Sequence, residues 1–335
     1  MARNTPYHVN LSGGFSGHNN PGAAVWYVGA QVAVDDGATP SDGNDGRSPQ
    51  QAFATIQKGL DAAVAGRGDI VAVLPGSYTI TAALTMTKAD VTLMGAHYKG
   101  PNTRNPAVIV CATNSVEMLA IDAADVTVSD LTFDHNTATA AVTLIDVGDT
   151  TASPACVLRN LFLDMEGSAT DTDGITINGD TASTSVLIEG CTLHDYDQDG
   201  IVVAAGNDES IIRGCRFYDI ANTGQYAITT VSDNGLIEDC TIQTAGTAGI
   251  HANVALELMI RRCNIFCTGA NTIGVLMAAL ATVHTSESYI TAMAAGNVVD
   301  FTTSATVPSA TIAWEGIDGT DPTIGVLTTA TVGGT

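Results

Sequence analysis

The sequence predicts an all-β protein folded as a parallel β-helix, a solenoid in which short strands stack coil upon coil. Three observations lead to this fold: an eight-residue apolar pattern that recurs along the chain, a second short apolar run after each copy, and a column of alternating charges. A unit of at least two short strands cannot bury its own apolar face, so its copies must stack on one another.

The recurring pattern appears in six eight-residue windows, separated by steps of 23 to 30 residues. Apolar and β-branched residues occupy its third and eighth positions, which is typical of short strands between turns. The windows begin at residues 126, 156, 186, 210, 235 and 258, and a weaker seventh copy begins at 281. Because adjacent strands lie about 4.8 Å apart, equivalent side chains of successive copies are predicted to form ladders.

The sixth position predicts a ladder of cysteines inside the solenoid. It holds leucine in the first two copies and cysteine in the next four, namely Cys191, Cys215, Cys240 and Cys263. A metal or redox array is one interpretation of such a column. Free cysteine packs well as a small apolar side chain, so a purely structural ladder is the favoured interpretation.

A second apolar run follows about ten residues after each window. These runs are GITI (174–177), GIVV (200–203), YAIT (226–229), GIHA (249–252) and GVLM (274–277). Glycine opens four of the five, which predicts corners whose backbone angles other residues avoid. Each repeat therefore contains at least two strands joined by turns.

The fourth position of the second to sixth windows alternates in the sign of its charge. Its residues are Arg159, Glu189, Arg213, Glu238 and Arg261. In a stacked solenoid they are neighbours on one face, where each pair contributes only about 0.2–1 kcal/mol. Their larger effect is on register, because a slipped coil would lose these opposite-charge partners.

The chain divides into three predicted segments. Residues 1–40 contain many turn-forming residues and predict an arm or attachment segment. Residues 41–296 predict the β-helix, with a cap helix at about 49–65 that begins at the N-cap Ser48 and covers the edge of the first coil. The helical spacing is that of Phe53, Ile56, Leu60 and Val64. Residues 297–335 lose the repeat and predict a β-rich C-terminal cap or trimerisation segment.

The run from residue 42 to residue 96, DGNDGRSPQQAFATIQKGLDAA followed by GDIVAVLPGSYTI and VTLMGA, resembles the entry segment of the pectate-lyase-like right-handed β-helix superfamily. That superfamily includes pectin-degrading enzymes, bacterial surface proteins, and phage tailspikes and related virion proteins. The resemblance implies a right-handed solenoid and, by analogy with phage members, a homotrimer. It says little about activity, because one scaffold hosts lyases, hydrolases, binders and structural spikes.

Composition argues against several classes of partner. The formal net charge is −23, and an acidic surface repels nucleic acid and anionic lipid. No stretch is apolar enough to predict a membrane span, and residues 1–10 carry no hydrophobic signal region. The seven cysteines are odd in number and regularly placed, which favours buried thiols in a reducing compartment.

Acidic residues in the turns after the windows are the candidate catalytic groups. Asp195 and Asp219 each lie four places after a ladder cysteine and are predicted to occupy adjacent coils, with Asp164 and Glu166 in the coil before. A glycoside hydrolase needs two carboxyl groups, about 5–5.5 Å or about 6.5–9.5 Å apart. The alternative is that aspartate is simply a common turn residue.

The same turns suggest a calcium ion, although no cofactor is required by the fold. The run from Asp195 through Asp197 and Asp199 to Gly200 matches the first half of a calcium-binding loop. Gly206 stands where that loop needs a bidentate glutamate, so the remaining ligands would come from the preceding coil, from Asp171 or Asp173. An acidic turn without metal is the alternative.

Three tyrosines fall in this turn region and predict a face that binds glycans: Tyr196, Tyr218 and Tyr226. Aromatic residues make up only 5% of the chain, so this grouping is unusual for the sequence.

The resemblance and the composition together predict a structural protein of a phage virion. We expect a homotrimeric capsid decoration protein or spike on the particle surface, assembled in the bacterial cytoplasm, bound to capsid or tail proteins and adhesive toward host surface glycan. The alternative is a polysaccharide depolymerase of the tailspike type, either a glycoside hydrolase or a lyase. A bacterial adhesin would be expected to carry an export signal, which residues 1–10 do not show.

Overall fold

A computed structural model describes residues 22–30, 39–96, 107–111, 117–135, 143–165, 172–178, 183–219, 226–253, 257–268, 273–277, 283–292, 299–301 and 312–315. Within these residues the chain forms a parallel β-helix with three sheets, here named A, B and C, and one short α-helix. Every strand pairs in parallel with the equivalent strand of the next coil. None of the described helices is both long enough and apolar enough to span a bilayer.

Each complete coil contributes one strand to each sheet, and the first and last strands add to sheet A alone. In the described residues sheet A contains Val25–Val28, Asp69–Val73, Val91–Gly95, Thr127–Ser129, Val157–Arg159, Leu187–Glu189, Ile211–Arg213, Leu236–Glu238, Leu258–Arg261, Val283–Ser286 and Ile312–Glu315. Sheet B contains Gly76–Ile80, Ala107–Cys111, Leu131–Asp134, Phe162–Asp164, Thr192–His194, Arg216–Asp219, Thr241–Thr244, Asn264–Cys267 and Tyr289–Ala292. Sheet C contains Leu84–Met86, Leu119–Ile121, Thr143–Val147, Asp173–Ile177, Asp199–Val203, Tyr226–Thr230, Ala248–Ala252, Ile273–Met277 and Val299–Phe301.

The cysteines of the sixth window position are fully buried in successive coils at the corner between sheets A and B. Each thiol donates to a carbonyl of the preceding coil at 3.7 Å. The four donor–acceptor pairs are Cys191 with Leu158, Cys215 with Ile188, Cys240 with Ile212, and Cys263 with Ile237. Each sulfur thus both fills interior volume and contacts the coil below.

The charged residues of the fourth window position stand in register on the outer face of sheet A. Arg213 lies 2.7 Å from Glu189 and 3.9 Å from Glu238. Arg261 also contacts Glu238, at 2.7 Å, and Arg262 joins them at 2.8 Å. Since only 6% of the Glu238 side chain is exposed, three arginines neutralise one nearly buried carboxylate.

Left-handed corners bound the strands of sheet A on both sides. The corner toward sheet B places the fifth window position at positive φ, in Asp130, Asn160, Gly190, Gly214, Asp239, Arg262 and Glu287. At the corner from sheet C, the residue directly before each window also has positive φ. These residues are Asp125, Ala155, Ser185, Glu209, Asn234 and Glu257. Glycine, asparagine and aspartate tolerate this conformation best. Because alanine, serine, glutamate and arginine also adopt it here, the stacking of the coils must hold the corner in place.

The seventh copy of the repeat begins at residue 283, two residues later than predicted. Ser286 pairs with Arg261 and so occupies the fourth position, not the sixth. Ser288 takes the place of the ladder cysteine, and its hydroxyl accepts a hydrogen bond from the Cys263 N–H at 3.1 Å. The prediction failed because serine at 286 resembles a small ladder residue in sequence.

The prediction of unusual backbone angles at the glycines that open the sheet C strands was wrong. Gly174, Gly200 and Gly249 do not adopt positive φ. A Cβ at these positions would lie 2.5, 2.6 and 2.8 Å from a carbonyl oxygen of the next coil. Glycine is needed here because the neighbouring coil approaches too closely for any side chain.

The predicted cap helix is shorter than its apolar spacing suggests. Ser48 caps a 3₁₀ turn at Pro49–Gln51, and the α-helix, α1, spans Ile56–Ala62 with Thr55 as its N-cap. Ile56 and Leu60 are buried, whereas Val64 lies beyond the helix and is 47% exposed. Helix α1 packs against the first strands of sheets A and C and covers that end of the core.

The two terminal segments both contribute strands. Val25–Val28, within the segment predicted as an arm, pairs with Ile70–Val73 in sheet A. Asp69, which is fully buried, accepts hydrogen bonds from the Ala24 N–H at 2.9 Å and the Trp26 indole at 3.0 Å. In the predicted C-terminal segment, Val299–Phe301 and Ile312–Glu315 extend sheets C and A.

Candidate functional site

Alternation along each strand gives every sheet one face toward the core and one toward the outside. On the outside of sheet C, one column runs through successive coils in strict register. We call it the sheet C column; it consists of Thr85, Ala120, Asp146, Thr176, Val202, Thr229, His251 and Leu276. Several of its polar groups are buried although the column faces outward, which is unusual for an outer face.

Asp146 is the most perturbed acid of this column. Its side chain is 8% exposed, and its Oδ1 atom is buried without a hydrogen-bond partner among the described residues. Burial, together with the nearby carboxylates of Asp149, Glu117 and Asp122, raises the pKa of Asp146 to about 7. A buried acceptor without a partner is costly, so this carboxyl group is suited to a ligand that supplies a donor.

His251 lies four coils further along the column. Its Nδ1 atom is buried without a hydrogen-bond partner among the described residues. Burial lowers the pKa of His251, which favours the neutral imidazole at neutral pH. Its ring lies against that of Tyr226, with 4.4 Å between the ring centroids and 32° between their planes.

Asp199 lies at the start of the sheet C strands, beside the column. It is 8% exposed, and its Oδ1 atom accepts a hydrogen bond from the Tyr226 N–H at 3.1 Å. Burial raises the pKa of Asp199 to about 6. The nearby Thr229 hydroxyl opposes this rise in the pKa of Asp199. The hydroxyl is close to the carboxylate but outside the distance and angle of a hydrogen bond. A carboxyl group that titrates near neutrality can act as a general acid or base.

These groups can bind hydroxyl-rich ligands and move protons, but they do not form the carboxyl pair of a standard glycosidase. Asp146 and Asp199 are two coils apart, about 10 Å along the solenoid axis. They also lie three positions apart along their strands, which widens the gap. The separation therefore exceeds the roughly 6.5–9.5 Å of an inverting pair.

Two of the predicted catalytic acids, Asp164 and Asp195, meet at one imidazole, that of His194. Asp164 lies on the outer face of sheet B, where its Oδ1 atom is 3.3 Å from the His194 Nδ1 atom. The Asp195 Oδ2 atom is 3.7 Å from the same Nδ1 atom, and the Asp195 side chain is 17% exposed. The register places Asp219 at the equivalent position of the next coil, while its side chain and Glu166 lie outside the described residues.

The prediction that Tyr196 binds a ligand was wrong. Tyr196 is fully buried and packs edge-on against Phe217, with 6.4 Å between ring centroids. Tyr218 lies on the outer face of sheet B, in register with His194, and Tyr226 lies on sheet C beside His251. The corner between sheets B and C separates the three rings, which proximity in the sequence does not reveal.

Calcium binding remains a prediction. The described residues contain no group of three or more histidine, cysteine, aspartate or glutamate side chains arranged to hold a metal ion. The Asp173 Oδ1 atom accepts a hydrogen bond from the Asp199 N–H at 3.0 Å, and Asp199 accepts one from Tyr226. Both carboxylates therefore accept hydrogen bonds from backbone N–H groups of the next coil. Asp171 lies outside the described residues.

Sequence reasoning missed Asp146 and His251 as functional candidates. The signal was available in the short runs LIDV (144–147) and GIHA (249–252), where one polar residue interrupts an apolar strand. Alternation places that residue on the outer face. What the sequence does not reveal is that an outward position in this part of the solenoid is buried.

The comparisons agree with this architecture. A family model described as right handed beta helix region matches residues 114–296. No curated protein sequence gives a significant match. Among solved structures, the complex of XylC with xylose has a TM-score of 0.61 and 11% identity, covering 83% of this chain and 68% of the other.

Two lyases have the same fold. A rhamnogalacturonan lyase has a TM-score of 0.50 and 12% identity, covering 90% of each chain. An alginate lyase from Paenibacillus sp. str. FPU-7 has a TM-score of 0.52 and 14% identity, covering 78% of this chain and 92% of the other. Together with the family match, these likenesses confirm the predicted right-handed parallel β-helix.

Proposed function

The chain belongs to the right-handed β-helix family, and from that premise we propose that it binds a polysaccharide along the sheet C column. The proposal depends on the buried polar atoms of one outward column that have no hydrogen-bond partner among the described residues, above all Asp146 Oδ1 and His251 Nδ1. Native proteins rarely leave such atoms unsatisfied, and functional sites are the usual exception.

The chemistry of the column suits a sugar chain. Sugar hydroxyl groups both donate and accept hydrogen bonds, so they match a carboxyl group and a neutral imidazole equally well. The Tyr226 ring beside His251 supplies an apolar surface for the face of a sugar ring. The named neighbours support a carbohydrate ligand as a class, since they are a xylose complex, a rhamnogalacturonan lyase and an alginate lyase.

Calorimetry with neutral and charged polysaccharides tests this proposal. We expect His251→Ala to weaken glycan affinity by about tenfold, the equivalent of about 1.4 kcal/mol, because it removes both the imidazole and its contact with Tyr226. His284→Ala is the matched control, since His284 faces outward from sheet A. Equal affinities for the two variants and the unmodified protein would place the glycan elsewhere or exclude it.

Cleavage of the polysaccharide is a second candidate function. Asp199 favours it, because a buried carboxyl group with a pKa of about 6 can exchange protons near neutral pH. The assay is incubation with acidic and neutral glycans, followed by measurement of new reducing ends and of unsaturated uronate absorbance. If Asp199 is the acid–base group, Asp199→Asn should slow cleavage by about 100-fold or more.

Three further variants sharpen the cleavage test. Asp197→Asn is the control for Asp199, because it changes the same residue type in the same turn. Asp195→Asn and Asp219→Asn test the acids that the sequence singled out. Cleavage that survives Asp199→Asn and fails in either of these would move the chemistry to the corner between sheets B and C. Absence of cleavage in the unmodified protein leaves binding as the function.

We also propose a biological setting, a phage particle. The resemblance of residues 42–96 supports a homotrimeric capsid decoration protein or spike that assembles in the bacterial cytoplasm and attaches to capsid or tail proteins. In that setting the polysaccharide would be a host surface glycan. Imaging of an intact virion with the chain labelled tests the location, and light scattering of the purified protein tests the trimer. A monomer at all concentrations would contradict the trimer.

A further inference from the structure

Four carboxyl groups gather at the early coils of the sheet C column. We call them the acidic group: Glu117, Asp122, Asp146 and Asp149. Glu117 and Asp122 flank the strand Leu119–Ile121, and Asp146 lies in the next strand, in register with Ala120. Asp149 follows that strand by two residues and is exposed.

Backbone contacts hold this arrangement together. The Asp122 Oδ1 atom accepts hydrogen bonds from the N–H groups of Thr150 and Thr151, at 2.9 and 3.1 Å. These bonds fix the turn that carries Asp149 beside the end of the preceding strand. The group is therefore a defined feature of two adjacent coils.

No cation of the described residues compensates the acidic group. The eight sheet C strands from Leu84 to Met277 contain no lysine and no arginine. None of the ion pairs formed within the described parts of the chain reaches any of the four carboxyl groups. Burial raises the pKa of both Asp146 and Glu117, and neighbouring carboxylates of the group raise it as well, as expected for like charges close together.

Asp146 supplies the independent sign of a ligand. It is the innermost of the four groups, being 8% exposed, and its buried Oδ1 atom has no hydrogen-bond partner in the part of the chain that the structure describes. The described residues do not offer three or more ligands placed for a metal ion. An organic cation, which needs hydrogen bonds from its N–H groups and no fixed coordination shell, fits these contacts better.

We propose that the acidic group recognises a free amino group on the bound glycan, so that the ligand is a polysaccharide containing amino sugars. This inference rests on the proposed glycan-binding function and specifies its substrate class. The ammonium group donates to Asp146 and is attracted by Glu117, Asp122 and Asp149. A uronate chain on the same column would bring its carboxylates against four acids and is disfavoured.

Proton release provides a signature of this contact. Asp146 is partly protonated near neutral pH, and pairing with an ammonium group favours its charged form. At a pH where the free amine is already protonated, its binding should therefore release protons from Asp146 to the buffer. Calorimetry in two buffers with different ionisation enthalpies measures the number released, and binding of a neutral glycan should release fewer.

The test compares an oligomer of glucosamine with an N-acetylglucosamine oligomer of equal length. The unmodified protein should bind the free amine about tenfold more tightly than the acetylated form. Asp146→Asn should reduce that preference to about twofold, because it keeps the shape of the side chain and removes its charge. Asp90→Asn is the matched control: it removes one charge at a corner of sheet A, where asparagine tolerates the positive φ equally well.

The outcomes separate this inference from the function on which it rests. If both oligomers bind with equal affinity, or if Asp146→Asn keeps the full preference, the amino-sugar inference fails while glycan binding stands. If Asp90→Asn weakens the preference as much as Asp146→Asn does, the attraction comes only from the overall negative charge, and the inference also fails. If neither oligomer nor any other polysaccharide binds, the proposed function fails.

Discussion

Sheets B and C are built by the same alternation of inward and outward residues, yet their outer faces differ. The outer face of sheet B carries exposed aromatic side chains, Phe162, Phe266 and Tyr289, each 37–40% exposed. Its charged groups, such as Asp164 and His194, contact each other at the surface. The outer face of sheet C instead holds Asp146 and His251, each with a buried polar atom that has no hydrogen-bond partner among the described residues.

This difference shows that exposure and function need not coincide on a solenoid. The polar groups on sheet B pair with one another or are hydrated, so a ligand would add little hydrogen-bond energy there. Asp146 and His251 on sheet C each bury a polar atom that finds no partner among the described residues, so a ligand that supplies a hydrogen bond would offset that cost. Buried polar atoms without partners are therefore the better guide to the site than exposed rings.

The largest effect is expected from a side chain added where coils of sheet C touch. In Gly200→Val the new Cβ would lie 2.6 Å from the Ala227 oxygen and 3.0 Å from the Phe217 ring. We expect a loss of about 3 kcal/mol in the free energy of unfolding. Urea denaturation measures it, with Thr192→Val on the outer face of sheet B as the control. Equal stability of the two variants would mean that the coils can move apart.

The next-largest effect is on the pH dependence of stability, which we expect to differ between acids on the outer faces of sheets B and C. The folded pKa of Asp146, about 7, exceeds its ordinary value of 3.8. Its protonated form stabilises the fold below about pH 4, and this contribution is lost as pH rises through 7. Asp146→Asn should therefore be more stable than the unmodified protein by about 1–2 kcal/mol at pH 8, after allowance for solvent screening.

Thermal unfolding of Asp146→Asn and the unmodified protein between pH 4 and pH 8 measures this dependence. Asp164→Asn on sheet B is the comparison, because Asp164 is partly exposed and contacts His194. If Asp146→Asn has the same pH profile as the unmodified protein, the carboxyl group is hydrated and the contrast between the faces is wrong.

A smaller effect is expected at the ion pair on sheet B. The Asp164 and His194 side chains are 32% and 37% exposed, so the pair should contribute less than about 1 kcal/mol. His194→Gln should lower the free energy of unfolding by no more than that, and high salt should remove the difference. A larger loss that persists in high salt would indicate packing against Phe162, whose ring centroid is 6.4 Å away.

The smallest effect is expected at the exposed ring of Phe162. Phe162→Thr continues the column of Thr132 and Thr192 on either side, and the lost ring was 38% exposed. We expect stability to change by no more than about 0.5 kcal/mol, and glycan affinity to stay unchanged. Calorimetry that shows weaker binding by Phe162→Thr would assign part of the glycan contact to sheet B.

The fold followed from the sequence because stacking repeats its requirements in every coil. The third window position alone, from Val128 to Ile260, specifies which residues pair between coils of sheet A, and the structure has that register. The error at the seventh copy shows the limit, since Ser286 is small enough to resemble a ladder residue. Only the pairing of Ser286 with Arg261 decides its position.

The candidate site followed from the sequence only in part. Asp199 was singled out, but for a calcium ligand, and Tyr226 was grouped with Tyr196, which is a core residue. Asp146 and His251 come from runs about a hundred residues apart, and nothing in either run reveals the other. Their shared column exists because the three intervening coils keep one register.

The sequence by itself determined the solenoid, the cysteine column and the order of charges on sheet A, because each depends on a local pattern repeated at similar intervals. The tertiary structure alone decided which outward residues are deprived of water. Burial depends on what the neighbouring coils and turns place above a side chain, and that arrangement is not encoded at the position itself. The same alternation therefore left Phe162 exposed and Asp146 buried.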